Sequence, residues 1–277
     1  MNVRSKFAHR PLRIGIVGCG AIGSQLARYI ARDLRGCALL VGLHDLVLPR
    51  AMRLSRQFRP APAVLPLAML VRRSQLIVEA ASAAAVLPLA QQVVAHGKDM
   101  MVMSSGGVLR HPAVLASLAR HRCRLYLPSG ALVGLDGVKA AAIGRIRRIV
   151  LTTRKPPASL AGSPGALQSG IALSRLKRPA VIFEGSPVDA VRLFPHNINV
   201  CATLALAAGR RPVIVRIVAE PGLQRNVHEL EVVGDAGTFR TLTENVPDEA
   251  NPRTSRLAIL SATACLQSLV GYVRIGT

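Results

Sequence analysis

Leu12-Arg13-Ile14-Gly15-Ile16-Val17-Gly18-Cys19-Gly20-Ala21-Ile22-Gly23 is the stretch that decides the fold. An apolar run ends in three glycines spaced G-x-G-x-x-G, and Ile22, Leu26, Tyr29, Ile30 and Leu34 then recur at helical spacing. Strand, glycine turn and amphipathic helix, in that order, open a βαβ unit. Gly18 allows the tight turn, Gly20 lets the backbone approach a pyrophosphate, and Gly23 permits close packing of the helix. The helix start, at Ala21, Ile22 and Gly23, supplies amides and the positive end of a dipole. These five residues are read as a dinucleotide-binding turn, against the plainer reading of a glycine turn with a purely structural purpose.

Outward from this unit, short apolar runs at residues 38–43, 76–80 and 100–103 alternate with helix-like stretches at 83–96 and 112–120. Strands alternating with helices of this size predict a doubly wound parallel sheet, a Rossmann domain. After Pro128 the texture changes. Residues 147–153, 180–183, 213–218, 228–233 and 238–243 read as strands without a helix between every pair, with helical patterns at 188–193 and 199–208. That predicts a second α+β domain with a mixed, mostly antiparallel sheet. Residues 156–170, rich in Pro, Gly, Ser and Ala, read as a mobile loop. Asn251 before Pro252 reads as a helix cap, followed by an apolar-faced helix over 257–269 that returns to the first domain. The domain expectation is 1–130, joined by 247–277, for dinucleotide binding, and 131–246 for catalysis and dimerisation.

With 277 residues, 50% hydrophobic and 18% charged, the chain has the composition of a folded α/β protein. The net charge of +22 is abnormal and raises the question of nucleic acid. The 36 basic residues, 31 Arg and 5 Lys, are scattered through the chain, and aromatic residues are 3% with no Trp, which argues against a dedicated nucleic-acid stripe. Five Cys without C-x-x-C spacing indicate neither a disulfide framework nor a zinc site, and no metal is expected. No segment has the apolar length of a signal peptide or a membrane span, so the expectation is a cytoplasmic protein with no membrane partner.

Asp45 stands about 20 residues past the glycines, where a ribose selector belongs. Its carboxylate would favour NAD, nearby His44 and Arg50 would tolerate the 2′-phosphate of NADP, and an ordinary loop Asp is the third reading. Ala80, Ala81 and Ser82, with Ser104-Ser105-Gly106-Gly107, stand at strand ends where they either line a nicotinamide pocket or simply make tight turns. His228, in Asn226-Val227-His228-Glu229, is an acid–base candidate or a structural histidine. Arg154 and Lys155 either hold a carboxylate or form a solvated pair at a strand end.

Six segments together resemble the L-aspartate dehydrogenase family over nearly the whole chain. They are Gly18-Cys19-Gly20-Ala21-Ile22-Gly23, Pro128-Ser129-Gly130-Ala131, Arg154-Lys155-Pro156, Phe194-Pro195-His196-Asn197-Ile198-Asn199-Val200, Asn226-Val227-His228-Glu229 and Ala250-Asn251-Pro252-Arg253-Thr254-Ser255. The resemblance implies NAD(P)-dependent conversion of L-aspartate through iminosuccinate to oxaloacetate and ammonia, feeding NAD synthesis. It places His228 on the family's catalytic histidine, Ala131 and Asn197 on its cofactor contacts, and makes Arg154, Lys155 and Asn199 candidates for the substrate. Two features depart from the family pattern: Gly234-Asp235-Ala236-Gly237 replaces Gly-x-Phe-Gly, and the charge is strongly positive. A dehydrogenase of another small amino acid, such as homoserine, and a non-catalytic NAD(H)-binding regulator are the alternatives. The expected assembly is a homodimer.

Overall fold

A computed structural model describes residues 10–195, 199–249, 251–252 and 254–276. Its backbone divides into two compact units, residues 1–128 with 262–274, and residues 129–261 with 275–277.

The first unit begins with strand β1 (Leu12–Val17), helix α1 (Ala21–Arg32), β2 (Ala38–His44) and α2 (Leu48–Ser55). It continues through β3 (Ala63–Val64), α3 (Leu67–Arg73), β4 (Leu76–Glu79), α4 (Ala83–Ala95), β5 (Asp99–Val102), α5 (Ser105–Arg110), α6 (Ala113–Arg120) and β6 (Leu125–Tyr126). The six strands form a parallel sheet in the order β3-β2-β1-β4-β5-β6, the doubly wound order expected from alternating strands and helices. Ile14 and Ile16 of β1, Leu26 and Ile30 of α1, and Leu43 of β2 have no exposed surface. Burial of each such side chain stabilises the unit by about 1.5–3 kcal/mol.

The second unit contains α7 (Leu135–Ile143), β7 (Ile146–Lys155), α8 (Pro157–Leu160), α9 (Pro164–Gln168), β8 (Ala180–Gly185), α10 (Pro187–Leu193), α11 (Asn199–Ala208), β9 (Val213–Ala219), β10 (Asn226–Gly234) and β11 (Gly237–Asn245). Its sheet runs β11-β10-β7-β9-β8, with β7 and β9 parallel and the other pairs antiparallel, so it is the mixed sheet expected. Ile149, Leu151, Val215, Ile217, Leu230 and Val232 are buried on the face that α10 and α11 approach.

Two expectations need correction. Residues 156–170 are not a featureless loop but hold α8 and α9. Pro157 and Pro164 occupy first-turn positions, where a missing N–H costs nothing, and Ser163 caps α9 by accepting from the Ala166 amide at 3.4 Å. Asn251-Pro252 does not cap the last helix, α12 (Arg256–Val270). Ser255 does, its hydroxyl accepting from the Leu257 amide at 3.2 Å, while Asn251 Nδ2 donates to Thr254 Oγ1. Residues 247–261 cluster with the second unit, so α12 enters the first only from Ala262. Asn245 explains why: its amide donates to the Ala131 carbonyl at 3.2 Å, and its Oδ1 accepts from Ser255 at 2.6 Å. Beyond that point Ala262 and Leu266 are fully buried in the core around β1.

Candidate active site

In the first unit the glycine turn has the required shape. Gly18 has φ of +96°, and a Cβ there would fall 2.5 Å from the Ala80 carbonyl oxygen. A Cβ on Gly23 would meet the Gly18 oxygen at 1.9 Å, so both are demanded by the fold. Gly20 is different: a Cβ there would touch nothing within 4 Å, so packing gives no reason for glycine. A missing side chain beside open space, at the start of a helix with no acidic first-turn residue, fits a close-approaching anionic ligand.

Asp45 lies against this turn. Its Oδ2 accepts from the Cys19 amide at 2.7 Å and its Oδ1 from the Val47 amide at 2.8 Å. His44 turns away, with Nδ1 2.9 Å from the Leu65 carbonyl, and Arg50 is exposed on α2. Burial and the Asp45 charge push the Cys19 thiol up to about 12, which leaves it inert.

Ala80, Ala81 and Ser82 follow β4 and lead into α4, where they are organised by Glu79, whose role the sequence reading missed. This fully buried carboxylate accepts from the Ala81 amide at 2.8 Å and from the Ser104 amide and hydroxyl, each at 2.9 Å. Burial raises its pKa, and these hydrogen bonds oppose the rise. Residues 105–107 form the first turn of α5, and a Cβ on Gly107 would meet the Ala83 oxygen at 2.5 Å, so packing against α4 explains the small residue.

In the second unit His228 sits on β10 between Thr153 of β7 and Thr243 of β11. It is 4% exposed, and its Nδ1 lies 3.1 Å from Thr153 Oγ1. Strand alternation puts Lys155, also buried, on the same face as Thr153. Burial pulls the Lys155 ammonium down from 10.5 to about 8. Burial, and secondarily the Lys155 charge, pull His228 from 6.5 to about 3, so the imidazole is neutral near pH 7 rather than poised to titrate there. Thr243 Oγ1 is the one buried side-chain polar atom without a hydrogen-bond partner among the described residues.

Lys155 also lines a cavity of about 550 Å³, whose wall includes Pro156, Phe194, Pro195, Asn226 and Pro252. Four of the quoted sequence segments, far apart in the chain, thus meet at one cavity. Arg154 does not join them. It faces the other side of the sheet, with Nε 3.0 Å from Glu229 and Nη1 3.2 Å from Glu220, so in this structure its guanidinium is ion-paired. Asn199 opens α11, is exposed, and is not among the described residues that line that cavity. Ala131 is buried, with its carbonyl held by Asn245. Asn197, with His196, Ile198, Ala250 and Arg253 of the quoted segments, lies outside the described residues.

Comparison with known proteins gives the family and the fold. A family described as "Aspartate dehydrogenase, C-terminal" matches residues 136–269, and one described as "Homoserine dehydrogenase, NAD binding domain" matches residues 18–128. The L-aspartate dehydrogenase of Methanosarcina acetivorans is 42% identical, across 96% of this chain and all of that one. That of Methanothermobacter thermautotrophicus is 43% identical, across 96% of this chain and 99% of its own. The crystal structure of aspartate dehydrogenase from Thermotoga maritima superposes with a TM-score of 0.74 at 26% identity, covering 97% of this chain and all of that one. From the glycine turn to the buried histidine, the chain belongs to the L-aspartate dehydrogenase family.

Proposed function

We propose that the protein catalyses NAD(P)-dependent oxidative deamination of L-aspartate to iminosuccinate, and thence to oxaloacetate and ammonia, or the reverse. The observation that carries this reading is the neutral, buried His228 held by Thr153 in register with the unpartnered Thr243, and in the field of a lysine that lines a cavity. When bound, the nicotinamide supplies the hydride acceptor.

Gly18, Gly20 and the start of α1 hold the cofactor's pyrophosphate, with Ala21, Ile22 and Gly23 presenting their amides. Asp45 takes the ribose, and its negative charge beside the turn favours NAD over the 2′-phosphate of NADP. Ala80, Ala81 and Ser82, fixed by Glu79, would border the nicotinamide, and the family resemblance assigns Ala131 and Asn197 to cofactor binding. Lys155, as the ammonium, holds a substrate carboxylate. His228, as the free base, takes a proton from water attacking the imine carbon and returns it to the leaving nitrogen. The unsatisfied Thr243 hydroxyl offers that water or the substrate a hydrogen bond, since a buried unpaired hydroxyl costs roughly 1–3 kcal/mol until it finds a partner.

The imine product is a precursor of quinolinate, which places the enzyme upstream of NAD synthesis. The five cysteines, none in a disulfide, suit a cytoplasmic setting, and no helix among the described residues is long and apolar enough to cross a membrane. A homodimer forms through the outer face of the second unit's sheet.

Absorbance at 340 nm tests the proposal, with NAD⁺ or NADP⁺ and L-aspartate beside D-aspartate, L-homoserine and the His228→Ala variant. Reduction with L-aspartate, faster with NAD⁺ and about 10²- to 10⁴-fold slower in folded His228→Ala, is the expected result. L-homoserine as the better substrate would reassign the reaction. Tight NADH binding without turnover of any amino acid would leave a regulator.

A further inference from the structure

The first unit carries a groove of about 1180 Å³ that the dehydrogenase reading leaves unused. It lies beside Ala38, at the start of β2, whereas the glycine turn follows Val17 at the end of β1. These are opposite ends of the sheet. Its origin is a mismatch of strand lengths. β3 has two residues and pairs only with Gly42 and Leu43, so among the described residues the stretch of β2 before Gly42 pairs with β1 on one side and with no strand on the other. Residues of that stretch line the groove, and Leu39 is 52% exposed there.

Around this open edge the fold gathers arginines that are scattered in the sequence. Arg13, Arg28, Arg35, Arg59, Arg72 and Arg73 line the groove, and none has a carboxylate partner among the described residues. Arg32 also lines it and pairs with exposed Asp33. Among the described residues, no Asp or Glu lines the groove.

We propose that this groove is a docking site for an extended acidic polypeptide segment of a partner protein, which adds as a strand to the open edge of β2 beneath its arginine rim. Main-chain hydrogen bonds to β2 give affinity, the apolar floor takes alternate side chains, and the arginines take the carboxylates between them. A strand edge with an apolar floor favours a peptide over nucleic acid, because among the described residues Phe58 is the only aromatic lining residue on which a base could stack. The competing account is that the arginines merely guard a bare edge against accidental pairing.

Fluorescence anisotropy of the full-length protein with a labelled peptide of alternating Glu and Val tests the proposal. The comparison probes are the same peptide N-methylated at alternate residues, a Lys–Val peptide and single-stranded oligothymidine. The expected outcome is saturable binding of the Glu–Val peptide, weakened by salt, with at least about tenfold loss on N-methylation, since main-chain bonds carry strand addition. Arg35→Glu with Arg72→Glu should weaken binding by about tenfold or more while leaving the dehydrogenase rate unchanged, as both charges sit on the rim. Slower amide hydrogen exchange at Leu39–Val41 of the unaltered protein on adding peptide supplies a readout independent of any variant. Absence of peptide binding would leave the arginines as guards. Equal binding of the methylated peptide or the oligonucleotide would make the groove a general polyanion surface, and either result overturns the proposal.

Discussion

At Lys155 the ammonium has lost nearly all contact with water, and its proton comes off near pH 8 rather than 10.5. If the charged form holds a substrate carboxylate, kcat/KM for L-aspartate falls as pH rises through about 8, and Lys155→Met loses most activity together with that limb of the profile. A profile unchanged by the substitution would remove Lys155 from the site. His228 gives a stability prediction of definite sign. Its folded pKa, about 3, lies below its usual 6.5, so between those values the unfolded chain binds more protons and stability falls with falling pH. Its contribution is full above pH 6.5 and about 2 kcal/mol smaller at pH 5. Urea titrations at pH 7 and pH 5 should therefore show His228→Gln losing less stability between the two than the unaltered protein does. Equal losses would mean that the imidazole is not held neutral by the fold.

The glycine turn separates folding demands from ligand demands within one element. Gly18→Ala places a Cβ against the Ala80 carbonyl at a positive φ, so it should destabilise the protein by about 1–3 kcal/mol or more. Gly20→Ala meets open space and should leave the denaturation midpoint nearly unchanged while raising the KM for NAD⁺ severalfold or more. Equal kinetics in Gly20→Ala would sink the close-approach reading of that glycine. The turn was legible because periodicity and glycine spacing are local, and the longer strands of both sheets were legible for the same reason, whereas the two-residue β3 and β6 carry too short a pattern to be read. The short helices α8 and α9 were not, because Pro, Gly and Ser mark loops by composition while Pro157, Pro164 and Ser163 act here as helix starters. The company of His228 was also hidden. Thr153 lies 75 residues away and meets it only through cross-strand register, as Thr243 does from the other side. Arg154 and Lys155 look equivalent in sequence, yet alternation along β7 sends one to an ion pair and the other to the cavity.

For the whole molecule, a net charge of +22 makes most of its surface repel a second copy. The outer face of the second unit's sheet is locally balanced instead. Glu231 pairs with both Arg148 and Arg240, Glu184 with Arg216, and Glu229 with Arg154, while Leu242, Val181 and Ile214 stand 61%, 50% and 38% exposed. Such a face can bury apolar area against its own copy without bringing uncompensated charge together, which is why the proposed homodimer is assigned there. Two consequences follow from one cause. Leu242→Glu adds a negative charge and removes an apolar contact on each side of the dyad, so sedimentation should show a folded monomer. Added salt should tighten association of the unaltered protein, because it screens the repulsion between the remaining positive surfaces more than it weakens the paired charges at the contact. A dimer that survives Leu242→Glu and loosens with salt would place the interface on a charged surface elsewhere.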